Sequence, residues 1–295
     1  MARGRDWLLG VLLLAAAGIF LFFVASLFIS GSGQEDGFAL SGGKRVGLIE
    51  IKGVILESET TIRNLERFAD RKDIAAIVLR IDSPGGGVAA SQEIYESVRR
   101  VRERGKFVVA SMASVAASGG YYIACGADTI MANPGTTTGS IGVIAEMINA
   151  TGLLERIGVR FEIIKSGKYK DSGSPFRPMT EEDRRQLQEY VNDAYEQFVE
   201  VVARERNLPK AEVLKFADGR IFTGQQAHAH KLIDVLGTYE DAVKLAGERG
   251  GITGKARVVR PPQRKTTIWD LLFGDIEQHL LRLQTLPVLR YQMIL

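Results

Sequence analysis

The chain has 295 residues, 45% of them hydrophobic, with 38 Lys and Arg against 35 Asp and Glu, one cysteine and three histidines. That length allows one large domain or two small ones with ample core, while the single Cys125 excludes an intrachain disulfide and a net charge of +3 is too weak for nucleic-acid binding. His228, His230 and His279 all lie in the last quarter, so a histidine base for any earlier nucleophile would have to come from there.

Residues 7–30 carry no charge, and as a helix at about 1.5 Å per residue they would cover about 36 Å, enough to cross a bilayer core of about 30 Å. The run is longer than the apolar core of a cleavable leader and no A-x-A site follows it, so an uncleaved anchor is expected. Arg3 and Arg5 precede it and Glu35 and Asp36 follow, which keeps the N-terminus in the cytoplasm and sends the rest across the membrane. Residues 31–43 read as a flexible tether.

The body alternates strand-like and helix-like stretches, the pattern of an α/β fold with βαβ units. Strands are expected at 46–51 (VGLIEI), 75–81 (AAIVLRI), 107–112, 129–132 and 160–164, and helices at 61–70, 91–104 and 181–206, the last opened by Thr180 and Asp183 as a capping box. The segment from Lys255 holds seven basic and three acidic residues, so the body up to Gly254 is neutral. Three parts follow: residues 1–36 (N-terminus, anchor and tether), 37–254 (body) and 255–295 (basic tail). In the tail, Thr267 and Asp270 are placed to cap an amphipathic helix running to Leu283, which would lie on the membrane, pack on a neighbour or simply form a surface helix.

Two glycine-rich turns, each directly after a strand, carry the chemistry. Ser83-Pro84-Gly85-Gly86-Gly87 puts bare backbone N–H groups at the sheet's edge, where an oxyanion can bind; the plain alternative is a tight turn. It lacks the Walker lysine and the dinucleotide spacing. Ser118, between Ala116-Ala117 and Gly119-Gly120, can present a hydroxyl to a groove with helix N–H groups behind it, or merely cap the helix. With no histidine before residue 228, a base for it must be lysine, aspartate or glutamate; Lys165, Lys168 and Lys170 crowd one loop, and residue chemistry alone does not choose among them. His228 and His230 are two apart, a poor metal spacing, and Cys125 reads as a core residue.

The motifs MASVAASGGYYIAC, SPGGG, TTTGSIGVI and IKSGKYKDSGSPFRPMT, in this spacing over residues 46–249, resemble the signal peptide peptidase A family, membrane-anchored serine peptidases. The resemblance implies the Clp protease/crotonase fold and a Ser/Lys dyad. Matched residue by residue, Ser118 stands for the nucleophile, Lys170 for the general base and Ser140 for the serine that orients the lysine. The N–H groups around Gly85, Gly86 and Gly119 stand for the oxyanion hole. No cofactor, metal or nucleic acid is implied. The implied substrates are signal peptides left in the membrane after preprotein processing. The implied setting is the inner membrane, held by residues 7–30, with the catalytic body on the periplasmic side. Half the length of the family's double-length members, the chain is expected to form a ring, an octamer by resemblance, in which Ser118 meets Lys170 of a neighbour. A crotonase-type acyl-CoA enzyme and a catalytically silent membrane scaffold with the same fold are the alternatives.

Overall fold

The computed structural model describes residues 18–19, 43–262 and 290–293. Apart from Gly18 and Ile19, the expected anchor lies outside the described residues, as do the tail helix, almost all of the tether and His279; among the described residues no helix is long and apolar enough to cross a membrane. The chain divides into two units, residues 1–43 and 44–295, and the second holds every element named below.

β1 (Arg45–Lys52), β2 (Ile74–Ser83) and β4 (Phe107–Ala117) are parallel neighbours, and β3 (Gly85–Gly87) interrupts the run between β2 and α2. Parallel neighbours need crossover connections, and the helices α1 (Glu59–Asp70) and α2 (Val88–Glu103) supply them. The eight-stranded sheet runs β7-β6-β4-β2-β1-β9, with β5 (Thr129–Ala132) paired to β4 and to β8 (Val235–Leu236). Here β6 is Thr137–Gly139, β7 Ile221–Thr223 and β9 Val258–Val259. The described strands of the basic tail thus join the body: β9 pairs with β1, and β10 (Arg290–Gln292) pairs with β3.

Successive strand residues point to opposite faces, and here both faces are buried. Ile49 and Ile51 of β1 and Ile77, Leu79 and Ile81 of β2 join Leu65, Phe68, Ile94 and Val98 of α1 and α2 in the larger core. Val46, Leu48, Ala76 and Val78 face the other way, onto Ala242 and Ala246 of α8 (Tyr239–Arg249). That explains why AAIVLRI is apolar at every position but Arg80 instead of alternating. Gly47 lets the Phe68 ring lie on the sheet, since a Cβ there would stand 2.5 Å from Phe68 Cδ2. Gly47→Ala should therefore lower unfolding stability by about 1–3 kcal/mol, read as a smaller urea midpoint at unchanged slope.

α3 (Gly119–Ala124) packs against the same core, followed by α4 (Thr151–Arg156) and the long α5 (Glu181–Glu205). The Thr180 and Asp183 capping box forms as expected. Short helices α6 (Lys210–Leu214) and α7 (Gly224–Ala229) precede α8. One expected element is absent: residues 160–164 are irregular and exposed, with Ile164 102% accessible. A strand needs a ladder partner, and no described strand reaches this segment; Phe161 instead stacks on Phe176, ring centroids 3.9 Å apart.

These residues belong to an arm between β6 and α5 that is pinned at its base by ions. Arg177 grips Asp171 with two N–H groups, at 2.8 and 2.9 Å, and Asp183 with a third at 2.6 Å. Arg177 holds both carboxyls well below the usual range, helped by Lys165 at Asp171 and by Ser172 at Asp183. A depressed carboxyl stabilises the fold above its unfolded pKa, and that contribution fades as pH falls through it. Acidification from about pH 5 to about pH 2 should lower the amide protection factors of residues 171–183, taken relative to the intrinsic exchange rate at each pH, before those of the sheet.

Candidate active site

Ser118 sits between the end of β4 and the start of α3, on backbone angles of φ 53° and ψ −117°. Only four described non-glycine residues have positive φ, and Ser118 and Ser140 are two of them. Such strain persists only where the surroundings enforce it. For Ser118 they do: its N–H donates to Gly139 O at 2.8 Å, and its carbonyl accepts from Tyr122 N at 2.8 Å to open the helix. A sharp strand-to-helix turn of this kind exposes a serine oxygen above a sheet. The Ser118 side chain does not cap the helix; its Oγ is buried and has no hydrogen-bond partner among the described residues.

The sheet places Ser140 beside it. Ala117 of β4 pairs with Gly139 of β6, so Ser118 and Ser140 are the next residues on adjacent parallel strands, which run about 4.8 Å apart. Ser140 is buried, and its N–H donates to Arg220 O at 2.8 Å. A cleft of 870 Å³ opens beside it, lined by Ile144, Tyr195, Arg220 and Met293 among others.

The SPGGG segment does not end as a loop. It continues as β3, whose antiparallel partner is β10. Glycine is required by close approach: a Cβ at Gly85, where φ is +100°, would stand 1.9 Å from Tyr291 O, and one at Gly86 would stand 2.1 Å from Ile55 O. The Gly85 N–H is engaged by Ser83 Oγ at 3.1 Å and that of Gly87 by Ile55 O at 2.8 Å. The amides of Gly86 and Gly119 lie close to the Tyr291 carbonyl instead. A point 3.1 Å from that oxygen, where a Gly119 Cβ would be, is 3.2 Å from Gly86 N; the corresponding point at Gly85 is 2.7 Å from Gly119 N.

Lys170 stands apart from this cluster, exposed on the arm in a turn where its N–H donates to Gly167 O at 3.1 Å. Within one chain its amine does not bond Ser118 Oγ, which has no partner among the described residues. Lys165 is tied to Asp171, and Lys168 pairs with Glu182 at 2.8 Å. Cys125 is fully packed and burial pushes its thiol up to about 12, which removes it as a nucleophile at neutral pH. His230 packs against Phe216 and Phe222, with centroids 5.4 and 5.1 Å away.

Sequence reasoning missed β10, although Leu289, Tyr291 and Met293 alternate with Arg290 and Gln292 in the manner of a strand. It also missed the ring cluster behind the glycines, where Tyr122 meets Tyr95, Phe198 and Tyr291, each at 5.1 Å.

Two family models match the chain: one described as Peptidase family S49 over residues 100–253, the other as Clp protease over residues 56–138. The chain is 47% identical over 216 residues to the putative protease slr0021 of Synechocystis sp., covering 73% of this chain and 78% of that one. It is 36% identical over 239 residues to the putative signal peptide peptidase SppA of Enterococcus faecium, covering 77% and 69%. With the chloroplastic serine protease SPPA of Arabidopsis thaliana it shares 33% over 255 residues, 84% of this chain and 38% of that one. The mixed α/β fold on a largely parallel sheet, matched by the Clp protease model over residues 56–138, is consistent with a Clp protease-like fold. The chain belongs to peptidase family S49, and its substrates are peptides.

Proposed function

We propose that the chain is a membrane-anchored serine endopeptidase that hydrolyses signal peptides remaining in the membrane after preprotein processing. Ser118 is the nucleophile and Lys170 the general base, delivered by a neighbouring copy. The observation that carries this reading is the buried Ser118 Oγ, without a partner among the described residues, on a strained turn beside glycine amides. A hydroxyl kept free of structural bonds at such a place is available for chemistry.

In the reaction, the neutral Lys170 amine takes the Oγ proton as the oxygen attacks the peptide carbonyl. The N–H groups of Gly86 and Gly119 hold the resulting oxyanion, while Gly85 shapes the turn that aims them. The ammonium then protonates the departing amine. Water, deprotonated by the same amine, adds to the acyl-enzyme and releases the acid. Ser140 orients the amine from the adjacent strand. A lysine serves as base only if its environment disfavours the charged form. Lys170, exposed in one chain, would become desolvated when a second copy covers it.

The arm supports that assembly. Ile148, Leu153, Ile157 and Ile164 are 81%, 63%, 62% and 102% accessible, an apolar surface on the segment that carries Lys170 and one suited to contact with another protein surface. A ring, taken as an octamer, would seat each arm on the next body. Residues 7–30 would anchor it in the inner membrane with the body on the periplasmic side. No described feature favours an acyl-CoA substrate, and a Ser118 hydroxyl without a structural bond among the described residues supports a catalytic site over a silent scaffold. The test is labelling with a serine-reactive fluorophosphonate: the intact chain should be labelled at Ser118, together with cleavage of an apolar fluorogenic peptide. Absence of both overturns the reading.

A further inference from the structure

An oxyanion hole works only when its donors all stand about 3 Å from one point. Here one donor, the Gly86 N–H, comes from three consecutive glycines, the residues with the most backbone freedom to lose, so its aim must be imposed from outside. A peptide unit is planar and trans, and its N–H points away from its C=O. The Gly85 carbonyl accepts from Ile55 N at 2.9 Å, which turns the Gly86 N–H to the opposite side, and Ile55 O takes the Gly87 N–H at 2.8 Å. The Ser118 carbonyl, held by Tyr122 N at 2.8 Å, turns the Gly119 N–H in the same way. These bonds aim each amide within its own wall of the hole.

Ser91, in the first turn of α2, stands at the seam between the two walls. Its side chain is fully buried, and its Oγ donates to Gly87 O, at the end of β3, at 2.9 Å. The same oxygen abuts the other wall: a Cβ at Gly119 would stand 2.5 Å from Ser91 Oγ and 3.2 Å from Gly86 N. Helical serines commonly bond the carbonyl four residues back, which accounts for the bond to Gly87. It does not account for the contact with Gly119, the residue that follows Ser118 and carries the second donor.

We propose that Ser91 is a positioning residue whose buried hydroxyl sets the separation of the Gly86 and Gly119 amides, and through it the strength of the oxyanion hole. The inference rests on the serine peptidase reading for the reaction it serves, whereas the clamp between the two glycine walls stands on geometry alone.

The test compares Ser91→Ala with Ser97→Ala in the full-length chain. Ser97 lies on the same helix and is equally buried, and its Oγ has no partner among the described residues, so it controls for the loss of a buried hydroxyl. Ser91→Ala should lower kcat on an apolar peptide about tenfold, less than the 10²–10³ typical of losing a donor outright, with KM little changed. The loss falls on kcat because the oxyanion exists only beyond the ground state. A peptide aldehyde should lose the same factor in affinity. In its adduct Ser118 Oγ bonds the aldehyde carbon, the Oγ proton passes to the Lys170 amine, and the former carbonyl oxygen enters the hole. Amide protection over residues 85–87 and 119–120 should fall in Ser91→Ala, while Ser97→Ala should match the parent in every measurement. Should Ser91→Ala not fold, Ser91→Cys, close in shape but a weaker donor, takes its place under the same criteria. Parental kcat and aldehyde affinity, a loss confined to KM, or equal glycine protection in the two variants overturns the proposal. A parent chain that neither reacts with a fluorophosphonate nor cleaves peptide removes the serine peptidase reading, and the protection comparison alone then decides the clamp.

Discussion

Ser118→Ala should lower kcat/KM on an apolar peptide by about 10⁶, to the residual rate left when a nucleophile is removed and the oxyanion donors remain. It should do so without loss of fold. The Oγ makes no hydrogen bond among the described residues, so its removal leaves no polar group orphaned. The backbone bonds that fix the turn, Ser118 N to Gly139 O and Tyr122 N to Ser118 O, survive the substitution. Alanine tolerates the φ of 53° little worse than serine does, and the melting temperature should move by only a few degrees. Ser140→Ala serves as the contrast, because a positioning residue should cost less and move the pH profile, while loss of the nucleophile should not. Measured turnover of the purified Ser118→Ala chain within about tenfold of the parent would remove Ser118 from the reaction.

Much of the body's framework was legible in the sequence. The apolar runs at 46–51 and 75–81 became β1 and β2 because both sheet faces are covered, by α1 and α2 on one side and α8 on the other. The serine was visible through its small neighbours, which the tight strand-to-helix turn demands. What stayed hidden is non-local. β6 and β7 are three residues each, too short to show a period, and are defined only by pairing with each other and with β4. SPGGG looks like a turn because its strand character comes from a partner some 200 residues later in the chain. The opposite error at 160–164 has the same origin: F-E-I-I has the composition of a strand, but no described strand reaches it. Lys170 could be matched by motif, whereas its distance from Ser118 depends on where the arm goes, and that is a property of packing against another surface.

Lys170→Ala should be as inactive as Ser118→Ala, and mixing the two inactive chains should restore activity. If each site takes its serine from one copy and its lysine from the next, a ring assembled from equal parts of both holds some sites in which neither residue is altered. An intact site needs a Lys170→Ala chain, which keeps its serine, followed by a Ser118→Ala chain, which keeps its lysine, so random exchange around a closed ring regenerates roughly one quarter of the sites. That recovery is large against a background of about one part in 10⁶. The geometry of the single chain favours this outcome, because Ser118 is buried in the body without a bond to any described lysine while Lys170 is exposed on an arm with apolar surface. The control is the double variant, Ser118→Ala with Lys170→Ala in one chain, mixed with intact protein: it should dilute activity and never restore it. If chromatography shows that mixed rings form and they remain inactive, serine and lysine belong to one chain, and the arm must fold back onto its own body to act.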